Sequence, residues 1–331
     1  MVANAARPCD DGAHGMRRKR WIIALQVVLV TAMLVFVTIE VRSSWSDLRP
    51  RLEDVQLRHV AAATGILAGY YLVFVVGWVI VLRALQLRIR YMEAVGAEMV
   101  SMLAKYIPGG VWTPAARVVA CRRLGMPAGP VLASIGYEAG LSAIAGVIVF
   151  ALSLPFAPDV SLPVPLWTML LFAAVLVVAL HPRIYGAAAD RLLKRLGDEP
   201  IPRLPMRAAV SVLMYYGVTW LLGGLALREM ALAFGADVPL SAVPYLGGAS
   251  ALGAIVAVLV VIAPSGLGVR EGAVYALLLA YMDGATALVV VALNRLLITG
   301  VEAGLLGGVL LLRRIRGQAL VEPRPPDPVS E

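Results

Sequence analysis

A chain of 331 residues that is 60% hydrophobic and only 15% charged, with a mean hydropathy of +0.83, is no ordinary soluble domain, in which about a quarter of the residues are charged. The same composition excludes disorder, and two cysteines, Cys9 and Cys121, exclude a disulfide scaffold. The formal charge of +8, from 29 Lys+Arg against 21 Asp+Glu, would raise nucleic acid as a partner in a soluble chain but reports loop orientation in a membrane protein.

In chain order, residues 1–20 form a basic tail ending in Arg17-Arg18-Lys19-Arg20. A crossing helix needs about 20 mostly apolar residues, and six runs qualify: Trp21–Glu40, Val60–Leu82, Val131–Ser153, Leu162–Leu180, Ala208–Leu227 and Gly284–Leu312. The first is too long for a signal peptide and lacks a small-residue cleavage site, so it reads as a retained anchor. Two further stretches are interrupted. Tyr91–Tyr106 runs into Ile107-Pro108-Gly109-Gly110-Val111-Trp112-Thr113-Pro114, and Ala242–Ala263 runs into Pro264-Ser265-Gly266-Leu267-Gly268-Val269-Arg270-Glu271-Gly272. The apolar run beyond each break is too short to cross back, and proline with paired glycine stops a helix. Each stretch therefore reads as a re-entrant hairpin, around 91–124 and around 242–282. The last residues, 313–331, are proline-rich and read as a disordered tail.

With the N-terminus cytoplasmic, Lys and Arg number five in residues 1–20, three in 83–90, two at Arg122 and Arg123, six in 182–207 and four in 313–331. That is twenty inside, against four outside in residues 41–59. The positive-inside rule then places both termini in the cytoplasm of a multi-pass protein of the plasma (inner) membrane, and removes the motive for a nucleic-acid partner. The stretch 182–207, with Arg183, Arg191, Lys194, Arg195, Arg203 and Arg207 beside Ile184, Tyr185, Leu192, Leu193 and Leu196, suggests a helix on the anionic inner leaflet or a solvated loop.

Gly136-Tyr137-Glu138-Ala139-Gly140 recurs as Gly300-Val301-Glu302-Ala303-Gly304, each in the span after a broken stretch. Residues 21–153 and 154–312 both read span, span, hairpin, span, and the topology inverts one against the other. The expected fold is thus an all-α integral membrane protein of six transmembrane helices plus two re-entrant hairpins, in an inverted-topology repeat of the kind that places transporter sites near the midplane. Small-xxx-small packing is a sufficient account of Gly300, Gly304 and Gly308, though not of the glutamates.

Eight ionisable residues fall in or beside these segments: Glu98, Lys105, Arg117, Glu138, Arg270, Glu271, Arg295 and Glu302. Charge at membrane depth is costly and marks candidate function; four of each sign also permit four structural ion pairs, and Glu98 and Arg117 can be placed at the interface. Thr113 with Pro114, and Ser265 with its glycines, are expected to start helices whose N–H groups face the hairpin tips. Helix N-termini with Arg117 and Arg270 nearby suit an anionic head group, leaving Glu138, Glu271 and Glu302 as countercharges or proton carriers. Lys105 and Arg295 border the same region, and Pro108, Gly109, Gly110, Pro264, Ser265, Gly266 and Gly268 shape the tips. No Walker loop, dinucleotide fingerprint, zinc-protease motif or paired-cysteine spacing is present, and His14, His59 and His181 are scattered, so no metal or cofactor is expected.

Lys105 to Trp112, Tyr137-Glu138 and above all Pro264 to Gly272 resemble the lysylphosphatidylglycerol synthase transmembrane-region family of flippase-like membrane proteins, over about residues 20 to 315. The resemblance implies movement of a lipid between leaflets; the family's soluble synthase domain has no counterpart in the 19 residues after Leu312. The expected function is translocation of a phosphate-bearing lipid, with membrane lipids as partners and no enzymatic activity. The alternative is a non-transporting membrane subunit that binds lipid or anchors a lipid-biosynthesis or glycan-assembly enzyme.

Overall fold

The computed structural model describes residues 54–105, 111–158, 165–194, 203–259 and 268–315. The expected span Trp21–Glu40, the tip residues Pro108, Gly109, Gly110, Pro264, Ser265 and Gly266, the basic tail and the C-terminal residues from 316 onward lie outside them. Among the described residues every regular element is helical: α1 (Leu57–Ala84), α2 (Tyr91–Ala104), α3 (Trp112–Arg123), α4 (Ala128–Ser153), α5 (Leu166–Ala179), α6 (Pro182–Lys194), α7 (Met206–Ala233), α8 (Val243–Leu259), α9 (Val269–Leu278) and α10 (Gly284–Ile315).

Five stretches are long and apolar enough to cross a bilayer, Leu57–Ala84, Ala128–Phe156, Met206–Ala233, Leu240–Leu259 and Gly284–Leu312, which makes this a multi-pass helical membrane protein. Four coincide with spans read from the sequence. The expected span Leu162–Leu180 coincides with the 14-residue α5, and residues 159–164 before it lie outside the described part. The two broken stretches differ from one another. The first gives short helices of 14 and 12 residues. The second gives a stretch of 20 residues, long enough to cross, followed by a helix of 10, which at 1.5 Å per residue covers only about half the hydrocarbon core.

The two long helices α1 and α7 lie antiparallel along their length. Gln56 N–H donates to the Ala233 carbonyl at 3.0 Å, and His59 meets Glu229 at 2.7 Å. Further along, Tyr70 stacks near Trp220 with ring centroids 5.9 Å apart, and Tyr215 O–H donates to the Val73 carbonyl at 2.6 Å. The remaining packing is reciprocal: α2 packs on α3 as α8 does on α9, α3 on α4 as α9 on α10, and α2 on α10 as α8 on α4.

Lipid supplies no hydrophobic drive between helices, so close approach and polar handles hold them together. A Cβ on Gly224 of α7 would collide with the α8 backbone at Val243 and Gly247, and one on Gly247 with the α7 backbone at Trp220; only glycine at both positions lets the two backbones touch. Buried aromatic groups add bonds across helices, Trp78 Nε1 to Ser134 at 3.0 Å and Trp220 Nε1 to the Ser142 carbonyl at 2.9 Å, as their amphipathic shape allows. Val210, Met214 and Val218, four apart on α7, are exposed, the lipid-facing edge of that helix. On α10 nothing among the described residues lies within 4 Å of where a Cβ would stand on Gly300, Gly304 or Gly308. Gly136 and Gly140, by contrast, sit against Tyr185 and Leu180.

Helix α6 follows the span end at His181 and leaves Arg183, Ile184 and Arg191 exposed. Tyr185 turns inward, donating to the Ala133 carbonyl at 3.1 Å, with its ring 4.3 Å from that of Tyr137. Burial pushes its hydroxyl up to about 12, with Tyr137 adding to the effect, so Tyr185 remains a donor at ordinary pH.

Candidate functional site

Three ionic groups meet where the short helices join the long ones. Arg117, in the second turn of α3, is buried at 4% exposure. Its guanidinium bonds Glu138 of α4 and pairs with Glu98 of α2. Arg117 Nε reaches the Ser101 hydroxyl at 3.4 Å, and Cζ stands 4.7 Å over the Trp78 ring. Glu98 and Ser101 share a face because they are three apart on a helix. A planar fork can hold two carboxylates at once, which a lysine cannot do. Arg117 and Glu98 are therefore interior residues rather than interfacial ones, because each supplies the other's compensation for burial. Arg117 is expected from the sequence to bind phosphate, but its donors are already committed to carboxylates.

Glu302 of α10 is fully buried. Its Oε1 accepts from Lys105 Nζ at 2.5 Å and from the Tyr71 hydroxyl of α1 at 2.5 Å; Oε2 has no hydrogen-bond partner among the described residues. Glu138 receives a weaker bond of the same kind from Tyr216 of α7, at 3.4 Å. Each repeated glutamate thus meets a tyrosine from one of the two long antiparallel helices, α1 and α7.

The third group belongs to α9. Gly268, with φ of +85°, precedes the helix in a conformation that costs other L-residues about 1–2 kcal/mol. Its N–H donates to Glu271 Oε2 at 2.8 Å, and Glu271 Oε1 pairs with Arg295 of α10 at 3.4 Å. Glu271 therefore closes the helix start and anchors α9 to α10. Arg270 is half-buried and makes no hydrogen bond or ion pair with any described residue. It lines a water-sized cavity of about 10 Å³ with Glu271, Asn294 and Arg295. The four-and-four arithmetic of the sequence suggests one-to-one pairs; instead Arg117 takes two carboxylates and Arg270 none.

The groups are within electrostatic reach of one another: Tyr70 feels Arg270, Glu138, Glu98 and Glu302, while Arg270 also acts on Tyr71 and Lys105. Of the expected site residues, Lys105, Arg117, Glu138 and Glu302 join two adjacent buried networks, and Arg270, Glu271 and Arg295 gather at the α9–α10 contact. The helix starts differ in detail from expectation. Helix α3 begins at Trp112, after Val111, so Thr113 lies inside its first turn; a proline at Pro114 is still tolerated because the N–H groups of that turn have no intrahelical partner. The cap of α9 among the described residues is Gly268.

Sequence reasoning passes over Trp78, Tyr71, Tyr216, Ser101 and Asn294. A signal existed in the tyrosines, since a phenol within a span needs a partner, but nothing in linear spacing names that partner.

No curated protein matches the chain. A family model, lysylphosphatidylglycerol synthase TM region, matches residues 22–304, including both broken stretches and every buried charge of the three ionic groups. The chain belongs to the lysylphosphatidylglycerol synthase transmembrane-region family.

Proposed function

We propose that this protein is a lipid translocator, which receives a phosphate-bearing head group among the short helices while the acyl tails stay in the bilayer. Family membership supports a membrane lipid-related role. The observation that carries the finer reading is Arg270: a cation without an ion-pair partner among the described residues, placed beside an ionic network built from both halves. A charge kept at membrane depth without a countercharge is costly, and an anionic lipid supplies one.

In this reading the two halves are an inverted repeat of six spans and two re-entrant hairpins, in the plasma (inner) membrane with both termini cytoplasmic. The antiparallel α1 and α7 and the reciprocal packing support the inversion, and the short lengths of α2, α3 and α9 support the hairpins. Arg270 takes the phosphate; Glu138 and Glu302, with Lys105 and Arg117, hold the hairpins to the long helices and balance charge as the head group passes. The tips at Pro108, Gly109, Gly110, Pro264, Ser265 and Gly266 border the path. The protein acts without a cofactor, makes and breaks no covalent bond, and has lipids rather than nucleic acid as partners.

The test is inter-leaflet movement of a labelled phospholipid in proteoliposomes. Arg270→Ala is expected to abolish movement while leaving the unfolding midpoint unchanged; wild-type rates in that variant would overturn the role of Arg270. Absence of movement in the wild type, with a lipid-modifying enzyme co-purifying, would favour a non-transporting subunit. A cysteine at Asp237 is expected to label from outside whole cells, and labelling only after lysis would reverse the orientation.

A further inference from the structure

Glu98 and Glu138 are both buried and share the single guanidinium of Arg117. With all three ionised the group carries one net negative charge, because one guanidinium fully compensates only one carboxylate. The two glutamates are also unequally held. Glu138 accepts from Arg117 and from the Tyr216 hydroxyl, whereas neither Glu98 oxygen accepts a hydrogen bond from a described residue. The titratable neighbours within electrostatic reach of Glu98 are Arg117 and Cys121 of α3, Glu138 of α4, Tyr70 of α1, Tyr216 of α7 and Glu302 of α10. Glu302 cancels against Lys105, and Glu271 against Arg295. The surplus carboxylate of the Arg117 group is thus offset only by Arg270, which acts with Glu98 and Glu138 on one side chain, Tyr70.

We propose that the Glu98–Glu138 pair is a proton-binding site, loaded with one proton when an anionic head group occupies Arg270 and emptied when it leaves. An anion on Arg270 spends the charge that balances the surplus carboxylate, and an uncompensated charge at membrane depth is costly. One proton restores neutrality. It comes from water, forms an O–H bond on one carboxylate of the pair and leaves Arg117 one-to-one with the other; on unloading it returns to water. A proton shared in this way belongs to the pair rather than to either residue. Loading also weakens the ionic tie between α2 and α3 or between α3 and α4, the helices that Arg117 joins. Proton and lipid then favour each other's binding reciprocally. The inference rests on the translocation reading for the anion at Arg270, whereas the proton site itself does not.

Infrared difference spectroscopy of the purified full chain in lipid-free detergent tests the site without any lipid. Arg270→Ala removes the balancing charge and is expected to gain, at neutral pH, the C=O band of a protonated carboxyl that the wild type lacks. Adding Glu98→Gln or Glu138→Gln to that variant is expected to remove the band, and whichever double variant folds carries this arm. No band in Arg270→Ala, or a band that persists in the double variants, would overturn the proton site. Fluorescent phosphatidylglycerol then tests the link. The wild type is expected to take up about one proton per bound lipid, read by an indicator dye in weak buffer. Its affinity is expected to fall roughly tenfold per pH unit on the alkaline side. Glu98→Gln, which holds the pair neutral, is expected to bind the lipid with no uptake and no pH dependence. Lipid binding by the wild type without proton uptake would overturn the link. Equal binding by the wild type and Arg270→Ala would overturn the head-group site at Arg270 and leave the proton site, with its band, standing.

Discussion

Tyr71 donates its hydroxyl to Glu302 at 2.5 Å across 231 residues of chain, and so ties the first long helix, α1, to the last, α10. Tyr216 of α7 makes the same kind of contact with Glu138 of α4 at 3.4 Å, so α1 and α7 each hold one buried glutamate. Each tyrosine is a neutral donor, so it stabilises a carboxylate without adding charge.

Tyr71→Phe is expected to destabilise the fold by about 1.5–3 kcal/mol, the usual worth of a hydrogen bond to a charged group. Tyr216→Phe should cost less, because its bond is long. Unfolding in a mild detergent series measures both. Equal costs would show that the shorter bond is not the stronger one.

Arg117→Ala strands two buried carboxylates and is expected to cost about 3–5 kcal/mol, seen as loss of folded yield. Arg117→Lys should restore little, since one ammonium cannot span Glu98 and Glu138 as a fork does. Adding Glu98→Gln and Glu138→Gln to the alanine variant should recover much of the loss. Arg270→Ala breaks no described ion pair and should leave stability alone, which separates the structural arginine from the functional one.

Gly136→Ala places a methyl where the Tyr185 ring lies. It should lift α6 from α4 and speed tryptic cleavage at the exposed Arg183 and Arg191. Gly300→Ala, with nothing among the described residues within 4 Å, should be neutral or stabilising by up to about 1 kcal/mol. The raised Tyr185 value also fixes a pH window. A phenol whose folded value lies above its unfolded one contributes stability that is complete below about pH 10 and lost as pH rises toward 12. Protection of α6 from trypsin should therefore be level from pH 6 to 9, and Tyr185→Phe should remove the alkaline loss.

Gly268→Ala forces a side chain into φ of +85°, at about 1–2 kcal/mol. Glu271→Ala removes the cap on Gly268 and the partner of Arg295 together, and should cost more. Hydrogen exchange across α9 reads out both; faster exchange in neither variant would remove Glu271 as the anchor of that helix.

Four of the five candidate membrane helices were legible because the bilayer imposes a length and an apolar composition on a crossing segment, whereas Leu240–Leu259 reads in the chain as a hairpin arm. Val60–Leu82 and Val131–Ser153, for instance, lie within α1 and α4, each of which begins three residues earlier. Glu138 and Glu302 stood out because lipid makes charge conspicuous. Partnership was not legible. Arg117 read as a phosphate ligand from its place after a break, and the fold gives its guanidinium to Glu98 and Glu138. Gly136 and Gly300 look alike in the chain; one receives Tyr185 and the other meets no described side chain.

By itself, then, the sequence determined a helical membrane protein, its family, and the set of charges that must be compensated inside it, because solvent and chain stiffness act on neighbours along the backbone. Only the tertiary structure decided which charge answers which, leaving Arg270 without an ion-pair partner among the described residues, because compensation acts over a few ångströms of space between helices that lie far apart in the chain.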